Sequence, residues 1–169
     1  DAPLAAVWPE FAQAGKDAVT LRQILSHRSG LSAVSKTLPP EALFDWEAMS
    51  AALAAQEPWW TPGDEHGYAP VTYAWLLGEP LRRLTGKRPG EAIADSICEP
   101  LGMDFFVGVP DPDLERIASV SRLRNQYGDE GARRLFAAMG QPDSMTAKAF
   151  GNPSSMMTST NRREWQQAD

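Results

Sequence analysis

The 169-residue chain has a single cysteine, Cys98. No intramolecular disulfide can form, and a cysteine-rich zinc site is excluded. Histidine is almost as scarce. His27 and His66 are the only two, far apart in the chain, so no metal centre is expected. Positive charge is not in surplus either: 16 Lys and Arg against 22 Asp and Glu leave a net charge of -6. That argues against a nucleic-acid binder, whose footprint is a basic face. The local cluster Arg82, Arg83, Lys87 and Arg88 falls where a helix is expected to end, and cations suit a helix C-terminus. Apolar runs stay short of the roughly 18 residues a membrane-spanning helix needs, and no signal-peptide pattern is visible. The first residue is Asp rather than Met, which predicts a piece of a longer or processed product.

What is present is enough for a core. Apolar residues make up 43% of the chain, and the length suits one ordinary domain over 1–169. Residues 1–19 read as an irregular entry broken by Pro3 and Pro9, with Trp8 and Phe11 as anchors. Thr20 opens a helix, with Gln23 completing a capping box and Gly30 as its stop. A second helix is expected from Asp45 to Gln56, closed by Pro58. Two prolines and two glycines then stiffen a loop over 57–68. A third helix is expected from Pro70 to Leu84, ended by Gly86 and kinked at Pro80. A fourth runs from Pro89 to about Cys98, stopped by Pro100 and Gly102, with Cys98 as a buried thiol. Phe105, Phe106, Val107 and Val109 form a strand or an extended segment packed on the core. Residues 113–121 are a short helix or strand. Helices are expected over 130–139 and 144–150, a loop over 151–159, and a last helix over 161–167 capped by Asn161 with Glu164. Alternating strands are missing, so the fold class is mainly α.

Three segments carry a family resemblance. Val19-Thr-Leu-Arg-Gln-Ile-Leu-Ser-His-Arg-Ser-Gly-Leu31 is similar to a stretch of the serine β-lactamases, penicillin-binding proteins and related carboxylesterases. Pro62-Gly63 followed after four residues by Tyr68 resembles the P-G-x-x-x-x-Y element of class C β-lactamases and their esterase relatives. Tyr73-Ala-Trp-Leu-Leu-Gly-Glu79, Leu84-Thr-Gly86 and Glu99-Pro-Leu-Gly-Met103 look like the helix pair that follows in those families. Order and spacing agree across 19–103. Gly78-Glu79 and Arg82-Arg83 resemble the esterase-like branch, and beyond residue 110 only the general layout does. The resemblance implies the helical subdomain of the β-lactamase/transpeptidase-like fold, without the α/β sheet part. It also implies a bacterial protein, of cytoplasm or periplasm.

Acyl transfer needs an activated nucleophile, a base and an oxyanion hole. The family takes its nucleophile from Ser-x-x-Lys and closes its site with a Lys-Thr-Gly or His-Thr-Gly strand. Neither motif occurs in this chain, and Gly-x-Ser-x-Gly is absent too. Ser32 with Lys36 and Ser144 with Lys148 stand four apart, but the first pair follows Gly30 in a loop and the second opens a short helix. The resemblance therefore implies a lobe that brings one catalytic residue, Tyr68, whose alternative role is a structural loop aromatic. A free tyrosine titrates near ~10 and needs neighbouring cations to act as a base at neutral pH. Candidate substrate-binding residues are His66, Trp59, Trp60 and Asn152. For His66 the alternative is shaping the loop; for the tryptophans it is core packing. His27 is expected to be structural, at a helix end. Class C enzymes carry asparagine two residues after the tyrosine; Pro70 here disfavours a β-lactam and favours an ester. No cofactor is expected. The substrate of the parent protein would be a small ester or amide, and faces that normally meet the missing lobe predict self-association. A non-catalytic binding module on the same fold is the competing reading.

Overall fold

A computed structural model describes residues 1–121 and 129–168. They are mainly helical. Among them no sheet forms, and the one β-type contact is an isolated antiparallel bridge between Pro3 and Thr20. The entry segment folds into two short 3-10 turns, Leu4–Ala6 and Pro9–Ala12. It carries Leu4, Trp8 and Phe11 into the core beside Val19, Ile24, Leu31, Leu53 and Leu76. Lys16 follows them inside. Its ammonium donates to the carbonyls of Gln13, Ala54 and Gln56 at 2.8, 2.9 and 2.6 Å, and it lies over the Phe11 ring. The charge thus meets the carbonyl groups that a helix C-terminus leaves over.

Helix α1 (Leu21–Leu25) starts as its sequence implies: Thr20 accepts the Gln23 N–H, and the Gln23 side chain accepts the Thr20 N–H at 2.9 Å. It ends earlier than expected. The chain leaves the helix at Ser26, and His27 takes the left-handed conformation at φ 56. Gly30 is also left-handed, φ +76, but serves a later turn. There a Cβ would lie 2.7 Å from the Trp60 carbonyl oxygen and 2.8 Å from Pro58 Cβ.

Helix α2 (Trp46–Ala55) is capped by Asp45, which accepts the Ala48 N–H at 3.0 Å, and buries Met49 and Leu53. Helix α3 (Tyr73–Thr85) begins three residues past Pro70, after a turn. Thr72 does not cap it with its side chain, because that hydroxyl donates to the Leu31 carbonyl at 2.7 Å. The helix continues through Pro80, which is buried together with Leu76, Gly78 and Glu79, and ends at left-handed Gly86. Helix α4 (Pro89–Ile93) passes through a π turn (Ala94–Cys98) into α5 (Glu99–Leu101). Pro100 was expected to stop this run. It is tolerated because a π turn shifts the bonding pattern, and proline has no N–H to place in it. Gly102 ends the run at φ 60, and Cys98 is a buried free thiol.

Phe105 and Phe106 are exposed and form no strand. The segment bends at Gly108, φ 75, and is held by the Val109 N–H to the Gln166 carbonyl at 2.8 Å. A 3-10 helix spans Asp111–Arg116. Helices α6 (Glu130–Met139) and α7 (Met145–Gly151) start at Asp129 and Ser144, whose side chains accept the third N–H of each. A 3-10 turn, Ser154–Thr158, lies where a loop was expected. Helix α8 (Arg163–Gln166) starts two residues late because Asn161 is used elsewhere: it pairs with the N–H and carbonyl of Val120 at 2.7 and 2.8 Å.

Candidate active site

The loop 57–68 lies on the turn that follows α1 and is laced to it. The Trp59 N–H donates to the Gly30 carbonyl at 2.8 Å, and the Trp59 indole N–H to the Ala33 carbonyl at 2.9 Å. The Gly63 N–H reaches the Arg28 carbonyl at 2.8 Å, and the Arg28 guanidinium returns a bond to the Gly63 carbonyl. Gln23 adds a bond to the Pro62 carbonyl at 3.1 Å. At the far end, the Gly67 N–H donates to the His27 carbonyl at 3.0 Å, and the Ser32 hydroxyl donates to the Gly67 carbonyl at 2.5 Å. Gly67 has to be glycine, since a Cβ there would run into the Trp60 ring and lie 3.0 Å from the Ser32 oxygen. Two segments far apart in sequence therefore form one braced surface.

Tyr68 stands on that surface and is 59% exposed. Its ring meets the His27 imidazole edge to face, with centroids 5.2 Å apart. His66 is exposed, and its ring lies 6.0 Å from His27. Tyr73, at the start of α3, packs on the same imidazole at 4.7 Å. The structure thus gathers His66, Tyr68 and Tyr73 around His27, and the sequence marks two of the four, His66 and Tyr68, as candidate site residues. His27 was expected at a helix end, where it sits; its contact with the Tyr68 loop was not foreseen, because nothing in a linear motif tells which later loop a left-handed residue faces.

The other candidates sit differently. Trp59 and Trp60 are half-buried; Trp59 spends its N–H on Ala33, while the Trp60 N–H is buried without a partner and its ring backs Gly67. Both shape the loop beneath Tyr68. Asn152 is buried and fully occupied: it accepts the Leu38 N–H at 2.9 Å and donates to the carbonyls of Val34 and Lys36, both at 2.8 Å. Neither serine is paired with its lysine. Ser32 is buried on Gly67, and Ser144 caps α7 while Lys148 reaches Thr37 at 2.9 Å. Among the described residues no cluster of His, Cys, Asp and Glu could hold a metal. An apolar groove of about 840 Å³ lies between α3, α4 and α8, lined by Phe44, Trp75, Leu81 and Trp165 among others; Pro70 lines it, Tyr68 and His66 do not.

The β-lactamase family model matches residues 1–163 of this chain. The chain belongs to the β-lactamase family. Its helices are the helical subdomain of that fold. Over 122 residues it is 32% identical to the esterase/β-lactamase LipL of Mycobacterium tuberculosis, covering 71% of this chain and 28% of LipL. A penicillin-binding-protein homologue from Caulobacter crescentus superimposes with a TM-score of 0.71 at 46% identity, over 84% of this chain and 38% of that one. A family VIII carboxylesterase gives a TM-score of 0.76 at 32% identity, over 99% and 42%. The chain spans less than half the length of each of these relatives. No described helix is long and apolar enough to cross a membrane.

Proposed function

We propose that this chain is the helical lobe that covers the active site of a serine hydrolase, and that it supplies one catalytic group, Tyr68. The whole protein hydrolyses small carboxylic esters through an acyl-serine intermediate. The observation that carries this reading is an exposed phenol at the family's P-G-x-x-x-x-Y position, held on a loop that is bonded along its length to the turn after α1. As a phenolate its oxygen can take the proton from an attacking serine, and the phenol so formed can hand that proton to the departing alcohol. That needs cations to lower its affinity for the proton. Ser-x-x-Lys is absent from this sequence, so the nucleophile and its lysine belong to the other lobe, and the chain by itself is idle. His66, beside the phenol on the same loop, is the substrate contact this lobe offers. The relatives include an esterase/β-lactamase and a carboxylesterase, which supports an ester substrate, and Pro70 in place of asparagine favours the ester over the lactam. Apolar side chains left open on α1, Leu21 and Leu25, are where the second lobe would sit, and without it the chain self-associates.

The test is Tyr68→Phe in the full-length protein with a nitrophenyl ester. Turnover should fall by about 10²–10⁴, the usual worth of a positioned acid–base group. Full turnover in that variant would take the catalytic role from Tyr68, and no turnover in the unaltered full-length protein would favour a non-catalytic module. The 169-residue chain alone should give no acyl burst; a stoichiometric burst would place a nucleophile inside it.

A further inference from the structure

Helix α1 closes with two backbone bonds, His27 N–H to the Ile24 carbonyl at 2.9 Å and Arg28 N–H to the Gln23 carbonyl at 2.7 Å. This is the Schellman arrangement, whose left-handed position usually belongs to glycine. His27 occupies it at φ 56, a conformation that a Cβ makes unfavourable. Glycine would make the same backbone bonds without that strain. Helix termination therefore gives no reason for an imidazole here, and the reason has to lie in what the side chain touches.

We propose that His27 is a positioning residue that fixes the orientation of the Tyr68 phenol. Its carbonyl accepts the Gly67 N–H at 3.0 Å, its Nδ1 accepts the Ala69 N–H at 3.4 Å, and its ring lies against Tyr68. One residue holds three in succession. With Nδ1 used as an acceptor, the proton of a neutral imidazole sits on Nε2. Among the described residues His27 is the only aromatic ring packed on Tyr68, so an exposed phenol takes its orientation from this contact. The imidazole is in turn backed by Tyr73 on α3, a helix anchored in the core by Leu76. The left-handed turn thus aims the ring of His27 at the loop, and the strain is retained for that aim.

This inference rests on the reading of Tyr68 as the catalytic group, and its test separates the two. Three variants are made in the full-length protein. His27→Gly keeps the turn and removes the ring. His27→Asn tolerates the left-handed conformation and offers Oδ1 near the place of Nδ1. His27→Ala removes the ring and keeps the strain. The Gly variant should melt no lower than the Ala variant, yet lose kcat about ten- to a hundredfold, as small misplacements of a reacting group do. KM should stay within about twofold, because the loss is of transition-state geometry. Asn should recover part of kcat. A merely structural role would instead make turnover follow melting temperature, with Gly the most active of the three. In ¹³C-tyrosine-labelled protein, the Tyr68 ring signals should move toward those of a free ring in the Gly and Ala variants and return part-way in Asn. Unchanged Tyr68 signals and unchanged kcat in the Gly variant would overturn the proposal. If Tyr68→Phe keeps full turnover while His27→Gly still frees the ring, the positioning contact stands and the catalytic reading of Tyr68 falls.

Discussion

Glu79 carries a carboxylate whose side chain is only 1% exposed. Arg82 meets it with two nitrogens at 2.9 and 3.1 Å, Arg83 at 2.6 Å, and the Trp46 indole N–H at 2.7 Å. The same arginines reach outward, Arg82 to Glu47 at 3.0 Å and Arg83 to Glu10 at 2.7 Å. One buried acid thus ties α3 to α2 and to the entry segment. Burial alone would raise its pKa, but the bonds from Arg82, Trp46 and Arg83 outweigh that and hold it below the ordinary value of 4.5. The folded state therefore binds this proton less readily than the unfolded chain. The stabilisation is present at neutral pH, begins to fade as pH falls through about 4.5, and is lost below the depressed folded value. Glu79→Gln should cost about 2–4 kcal/mol in urea unfolding at pH 7, toward the low end for a broken buried pair because both arginines can turn to solvent. The penalty should shrink as pH is lowered past 4.5. An equal penalty at pH 7 and at pH 3 would contradict the charged assignment. The sequence shows Arg82 and Arg83 as cations at a helix end and does not show that Glu79 is interior; the packing of Trp46 and Trp8 over that face makes it so.

Among the elements, the α2–α3 contact depends on the neighbour of that acid. Gly78 faces the Trp46 ring, and a Cβ there would overlap the ring edge and approach Pro89 Cγ to 2.9 Å. Glycine in a helix interior ordinarily costs about 1 kcal/mol relative to alanine. Here that cost lets the indole come close enough for its N–H to bond Glu79. Gly78→Ala should therefore destabilise by about 1–3 kcal/mol, the usual range for overpacking, despite the gain in propensity. Gly151→Ala on α7, where a Cβ meets nothing within 4 Å, is the control and should be neutral or stabilising. Thermal melts of the two variants check this, and a stabilised Gly78→Ala would deny the close approach. The elements whose ends are set by local caps were legible: Thr20 with Gln23, Asp45, Ser144 and Gly86 sit where the sequence puts them. Ends decided by distant partners were not. Thr72 is drawn to Leu31, Asn161 to Val120, and His27 to the loop at 67–69, so α3 and α8 start late and α1 stops early. The motif singles out Tyr68 as a candidate; that His27 packs on it, with Tyr73 behind His27, is not readable from the motif, since the three converge only in three dimensions.

On the scale of the molecule, the proposed division into lobes has a consequence that the isolated chain can be asked about directly. Leu21 and Leu25 stand one turn apart on α1, 42% and 52% exposed, with the Tyr73 hydroxyl against the Leu25 carbonyl. This apolar edge lies beside the Tyr68 cluster, where under the proposed function a second lobe carrying the nucleophile would close. Left open, it should pair with another copy, because joining two such faces removes apolar surface from water. The net charge of -6 works against that pairing. Like charges repel over about 10 Å at 0.1 M salt and only about 3 Å at 1 M. Association of the isolated chain should therefore strengthen with both protein concentration and salt in sedimentation velocity. Leu21→Glu together with Leu25→Glu should weaken it at every salt concentration, by adding charge and removing the apolar edge. A strict monomer at high concentration in 1 M salt would remove the expectation of an open interface. Association that the double variant leaves untouched would move the contact to another exposed apolar stretch, such as Leu101 to Phe106, and away from the edge that borders Tyr68.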